Sequence, residues 1–114
     1  MNFIRGDTQF LKFLVTFKDQ TLIKLEDIDT LFITCKKSIY SRENIFQKTI
    51  DDVKIDEEGY VHIVFKPEDT ESLEYGKYVF DIEITTKAGY RKTKLFEFTL
   101  VGETTFHGGD ANGN

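Results

Sequence analysis

Apolar residues recur at every second position along most of this chain. In "QFLKFLVTF", Leu11, Phe13, Val15 and Phe17 share one face, while Phe10, Lys12, Leu14 and Thr16 make a mixed opposite face. Alternation of this kind marks a strand with one side in a core. "LFITCKK" places Leu31, Ile33 and Cys35 on one side and Phe32, Thr34 and Lys36 on the other. "NIFQKTI" reads as a weaker, peripheral strand, and "LIKL" as a short extended segment after the polar turn "KDQT". In "YVHIVF", Val61, Ile63 and Phe65 point inward; in "YVFDIEITT", Tyr78, Phe80, Ile82 and Ile84 do, against Val79, Asp81, Glu83 and Thr85. The last strand, "KLFEFTLV", buries Phe96, Phe98 and Leu100. Gly59 in "DEEG" and Gly89 in "KAGY" supply turns between these runs. "KPEDTESL" breaks the rhythm. Pro67 suits the opening of a single helical turn, Glu68 and Asp69 suit its positive end, and Leu73 folds back onto the core.

Seven or so short strands with no long amphipathic helix predict a sandwich or small barrel. "EYGKYVF" narrows the choice, because Glu74, Gly76, Tyr78 and Phe80 hold the alternating offsets of the strand entry in immunoglobulin-type sandwiches, with Phe80 in place of the disulfide cysteine. Tyr78 then has the position of the corner tyrosine, whose hydroxyl bonds back to nearby backbone. The expected fold is all-β: an Ig-like antiparallel β-sandwich of about seven short strands with one short helical turn. It covers residues 1–104, and 105–114 form a flexible Gly/Asn-rich tail.

The chain has 114 residues, enough for one core without staples. Eleven Phe, five Tyr and a single Pro reinforce the strand reading. Net charge is −5 with acids and bases interspersed, so neither the basic stripe of a nucleic-acid binder nor the cationic patch of a membrane-surface protein is present. The N-terminus lacks the pattern of a secretory signal, and synthesis and folding in cytoplasm are expected.

Candidates for chemistry are few. Cys35 is alone and sits in an apolar run, which favours a buried, inert thiol. His62 is expected on an outer sheet face, and His107 abuts the tail; neither has a second His at ligand spacing. Asp51, Asp52, Asp56, Glu57 and Glu58 form an acidic patch without the donor pattern of a calcium loop, so a solvated hairpin is the default and a loose calcium site the minor alternative. Asp81 and Glu83 share a strand face, and cross-strand pairing with Lys92 or Lys94 explains them more simply than acid–base catalysis. No cofactor, metal site or catalytic function is expected.

Arg5, Gly6 and Asp7 spell the tripeptide by which many extracellular ligands engage integrins. They also have the composition of a turn: Gly6 tolerates positive φ, Asp7 bonds to backbone two residues on, and Arg5 has scope to pair with an acidic neighbour. A structural turn between a short strand "NFI" and the strand starting near Thr8 is the expectation.

Taken together, "FIRGDTQFLKF", "DIDTLFITCKKS", "IFQK" and "PEDTESLEYGKYVFDIEI" resemble, in order and spacing, the N-terminal Ig-like domain of baseplate upper proteins from phages and prophages of Gram-positive bacteria. The resemblance covers about residues 2 to 104. It implies a virion structural part, an adaptor, decoration or baseplate-associated subunit that docks onto other virion proteins, with homo-oligomers within its repertoire; the lack of a catalytic constellation makes it non-enzymatic, and the charge pattern leaves neither nucleic acid nor membrane as partner. Family members commonly continue into a stalk or a further binding domain, so the Gly/Asn tail favours an accessory role here. Apolar residues on expected outer faces, Phe10, Leu14, Phe32, Val64 and Val79, with Leu95 and Val101, are the candidate docking face. That expectation fails if Phe10 and Phe32 both lie in the core. The alternative function is a carbohydrate- or ligand-binding module using Tyr40, Tyr60 and Tyr90 as platforms.

Overall fold

A computed structural model describes residues 1–17 and 19–102. Its strands are β1 (Asn2–Ile4), β2 (Gln9–Leu14), β3 (Ile28–Lys36), β4 (Phe46–Thr49), β5 (Val53–Ile55), β6 (Tyr60–Phe65), β7 (Gly76–Thr86) and β8 (Arg91–Val101); the expected helical turn is α1 (Pro67–Thr70), and two 3-10 turns, Leu25–Asp27 and Ile50–Asp52, join it among the described residues. They form a five-stranded sheet in the order β1-β8-β7-β3-β4 and a three-stranded sheet in the order β2-β6-β5. This is the β-sandwich that the alternation predicts, with two refinements. "LIKL" contributes only the bridge Thr16↔Leu22. And the sheets are not wholly antiparallel, because β1 runs parallel to β8, pairing Asn2 with Thr99 and Ile4 with Val101. The chain opens on the edge of the large sheet and crosses at Arg5–Thr8 to the small one, so its first strand lies alongside its last.

The core forms where the two inner faces meet. Phe13, Val15, Leu31, Ile33, Cys35, Val61, Ile63, Phe65, Tyr78, Phe80, Ile82, Ile84, Phe98 and Leu100 are buried as their phase requires, with Leu11, Phe17, Leu73 and Phe96 partly buried against them. Phe3 joins them, stacked on Phe98 with centroids 4.4 Å apart. Full burial contributes about 1.5–3 kcal/mol for each large apolar side chain, aliphatic or aromatic, and contacts between the Phe rings, such as Phe65 on Phe80 with centroids 5.3 Å apart, add to it.

Turn chemistry closes the strands. Gly59 and Gly89 have φ of 87° and 90°, the left-handed region that the "DEEG" and "KAGY" turns demand. The acidic patch serves these connections: Asp56 Oδ1 accepts the N–H groups of Glu58 and Tyr60 at 2.9 and 3.0 Å, and Asp52 accepts that of Thr49 at 2.8 Å. Asp69 accepts the Lys66 N–H at 2.7 Å and so caps α1.

Candidate docking face

The outer face of the small sheet is built from the even-numbered residues of β2 and β6. Antiparallel register sets Phe10 opposite Val64, Lys12 opposite His62 and Leu14 opposite Tyr60, with Lys54 of β5 beyond His62. Phe10 is 72% exposed and Leu14 42%, while Val64 is half-buried between its neighbours. Lys12 Nζ lies 4.9 Å from the centre of the Tyr60 ring, a cation–π contact that holds the ammonium over the sheet. His62 Nε2 meets Asp56 Oδ2 at 2.7 Å, and this hydrogen bond, with the two backbone N–H donors, holds the Asp56 carboxyl below the usual carboxylate range. The result is a sheet face with apolar ends, Phe10 with Val64 and Leu14 with Tyr60, and with Lys12, His62 and Lys54 between them.

Phe32 and Val79 do not belong to it. They project from β3 and β7 on the outer side of the large sheet, across the sandwich from Phe10, Leu14 and Val64. The five candidates therefore divide three and two, because outward residues of two packed layers look in opposite directions. Val79 is moreover buried at 8% exposure, lining a cleft with Ile39, Tyr40 and Leu95. Phe32 is half-buried and Leu95 is 51% exposed. Since Phe10 is exposed and Phe32 lies outside the buried cluster, the condition that would have sunk the docking-face reading is not met.

The large sheet's outer face carries a shallow concavity of about 260 Å³ lined by Phe32, Thr34, Lys36, Asn44, Gln47, Asp81 and Glu83. Gln47 Nε2 donates to Thr34 Oγ1 at 3.0 Å. Partial burial pushes the Asp81 carboxyl above its ordinary range; Lys36 opposes that shift and Glu83 adds to it. Glu83 pairs with Arg91 at 2.7 Å, not with Lys92 or Lys94. Those lysines stand opposite Ile84 and Ile82, so they belong to the inner face.

The Arg5–Asp7 segment is a turn, tied to α1 and to the stretch that follows it. Gly6 has φ of 82°, its N–H donates to the buried Thr70 Oγ1 at 2.9 Å, and Asp7 N–H donates back to Ile4 O at 3.1 Å. The expected forward bond of the Asp7 side chain is replaced by this backbone bond. Among the described residues Arg5 takes no acidic partner either: its guanidinium lies 4.2 Å from the Tyr75 ring centre and donates to Leu73 O at 3.3 Å. The corner motif is present, with Tyr78 O–H donating to Glu74 O at 2.6 Å and Gly76 at φ 132°.

Cys35 has no solvent exposure, and burial, with the nearby Asp69 carboxylate, pushes its thiol up to about 12. Among the described residues no three of His, Cys, Asp and Glu are grouped to hold a metal ion. His107 and the 105–114 tail lie outside the described residues. The sequence reading missed one polar pair at the core's rim, Lys48 and Asp69, 2.7 Å apart. Its only sequence signal is that Lys48 shares the inward phase of β4 with Phe46.

No family model matches the chain, nor does any curated protein. Among solved structures it is similar to CopC from Methylosinus trichosporium OB3b, at 14% identity and a TM-score of 0.43 over 71% of this chain and 72% of that one. It is also similar to a protein of Bacteroides vulgatus ATCC 8482 ascribed to the glycoside hydrolases, at 18% identity and a TM-score of 0.44 over 90% of this chain and 17% of that one. Likeness at this level assigns the chain no activity, ligand or partner.

Proposed function

We propose that this chain is a non-enzymatic structural protein of a phage or prophage virion, an adaptor, decoration or baseplate-associated subunit that docks onto neighbouring virion proteins. One observation carries the docking part: Phe10, 72% exposed, stands opposite Val64 on the outer sheet face that also carries Leu14, where an apolar ring in water is unfavourable until a partner covers it. The virion part rests on the resemblance of the "RGDT", "TCKK" and "PEDT" to "FDIE" segments. Immunogold electron microscopy of purified particles, with antibody to an epitope proven accessible, tests it. Gold on head, neck or baseplate supports the reading and locates the subunit; unlabelled particles with the protein free in infected cells overturn it.

A second reading, a ligand-binding module, draws on the polar concavity around Phe32 and Asp81. Of its candidate platforms only Tyr40, 87% exposed, stands clear; Tyr60 lies under Lys12 and Tyr90 packs on Phe17. Saturable oligosaccharide quenching of tyrosine fluorescence would favour it.

A further inference from the structure

The edge of the large sheet is only partly closed. β8 pairs with β7 from Arg91 to Leu100, but on its other side β1 reaches only Thr99 to Val101. Among the described residues no strand lies along the edge from Arg91 to Glu97. The hydrogen-bond phase shows what this edge offers. Thr86 N donates to Tyr90 O, so with an unbroken register the even-numbered residues of β8 bond to β7. Thr99 N donates to Met1 O and Arg5 N to Val101 O, so the odd-numbered ones bond outward. By that parity Arg91, Thr93, Leu95 and Glu97 present N–H and C=O groups at the open edge.

The two faces of this edge differ. On the inner side Lys92 and Lys94 stand beside Phe13, Leu14, Val15, Ile82 and Ile84 around a narrow crevice, and Lys94 Nζ lies 5.3 Å from the Phe96 ring centre. On the outer side Leu95 is 51% exposed and lines the cleft with Val79, Ile39 and Tyr40. Inward-pointing lysines protect an edge from its own kind. A second copy pairing antiparallel about this stretch brings Lys94 against Lys94 or Lys92 against Lys94 in two of its three central registers, and like charges placed opposite are unfavourable.

We propose that the β8 edge is a strand-addition site for a partner protein's extended segment in which acidic and apolar residues alternate. Its backbone completes the bonds of Thr93, Leu95 and Glu97; its carboxylates lie beside Lys92 and Lys94, and its apolar side chains cover Leu95. The choice of a protein partner rests on the docking reading above, although the edge is a different surface from the Phe10 face.

The test uses ¹⁵N-labelled protein and two synthetic peptides, Ac-SVEVEVS-NH2 and Ac-SVKVKVS-NH2. The acidic peptide is expected to give saturable shifts and slowed hydrogen exchange at the Thr93, Leu95 and Glu97 amides, with the basic one about tenfold weaker. K94E, a change at an exposed position, is expected to narrow or reverse that preference. Absence of binding at millimolar peptide, shifts centred elsewhere, or equal affinity for both peptides would overturn the proposal. So would concentration-dependent shifts of these amides without peptide, which would give the edge to a second copy. A chain found on particles but deaf to the peptides loses this inference alone; one that binds them but is absent from particles loses the virion reading alone.

Discussion

The pair formed by Lys48 and Asp69 tests whether α1 is held to the sandwich by charge or by packing. Lys48 stands inward on β4, opposite Ile33, with its Nζ 2.7 Å from Asp69 Oδ2 and 5.4 and 5.8 Å from the ring centres of Phe46 and Phe65. The two side chains keep 10% and 15% exposure. Dehydrating both ions is costly, and their attraction, the rings and the Lys66 N–H bond to Asp69 offset that cost only while both are present. Asp69→Asn preserves shape and cap but leaves the ammonium without its counter-charge. Removing one member of a buried pair costs roughly 3–5 kcal/mol, and the residual access of water puts this variant at about 3 kcal/mol. Lys48→Met keeps the stem on the two rings and leaves Asp69 its cap bond, for about 2 kcal/mol. The double variant strands neither charge and is expected to cost about 2 kcal/mol in all, so the coupling is about 3 kcal/mol. Urea unfolding at neutral pH measures it as midpoint shifts at a common m-value. Additive costs, or single costs under about 0.5 kcal/mol, would mean that the pair is effectively solvated and that packing alone holds α1.

The other expectations are simpler. Gly6→Val meets no steric obstacle, since the nearest atom to an added Cβ is Glu71 Cβ at 4.0 Å, but it forces a β-branched residue into φ 82° at a cost of about 1–3 kcal/mol. The melting temperature should fall by several degrees in a thermal scan; unchanged stability with loss of cell adhesion would restore the integrin reading. Tyr78→Phe removes the corner bond to Glu74 O and is expected to cost about 1 kcal/mol in the same urea assay, and no change would make the corner ornamental. Cys35 should resist a thiol reagent at pH 8 until urea unfolds the chain, and rapid native labelling would contradict its burial. Asp81 binds its proton more tightly folded than unfolded, so its contribution to stability falls as pH rises from below the unfolded value through the raised folded one. Asp81→Asn should therefore raise the melting temperature at pH 7 and leave it little changed at pH 3; a loss at pH 7 would give the carboxylate a partner there.

Alternation identified the apolar inward positions well, because the apolar core-facing residues between β2 and β8 carry the same local signature. It left open which sheet a strand joins, since a residue pointing out of one layer looks the same in sequence as one pointing out of the other. Phe10 and Phe32 look alike in sequence for that reason, and only the strand order β1-β8-β7-β3-β4 against β2-β6-β5 separates them. Contacts such as Arg5 on Tyr75 and Gly6 on Thr70 join segments distant in the chain and leave no trace in local pattern. Lys92 and Lys94 are different, because their placement was legible. Phe96, Phe98 and Leu100 fix the inward phase of β8 on even positions, and counting back by twos puts both lysines on that side. Opposite charge, a stronger local cue than phase, points them instead at Asp81 and Glu83. A strand whose inward positions change from Phe to Lys over a few residues has left the sandwich's covered interior and reached an edge. That change in composition within one unbroken phase was the sequence's own sign of the open β8 edge.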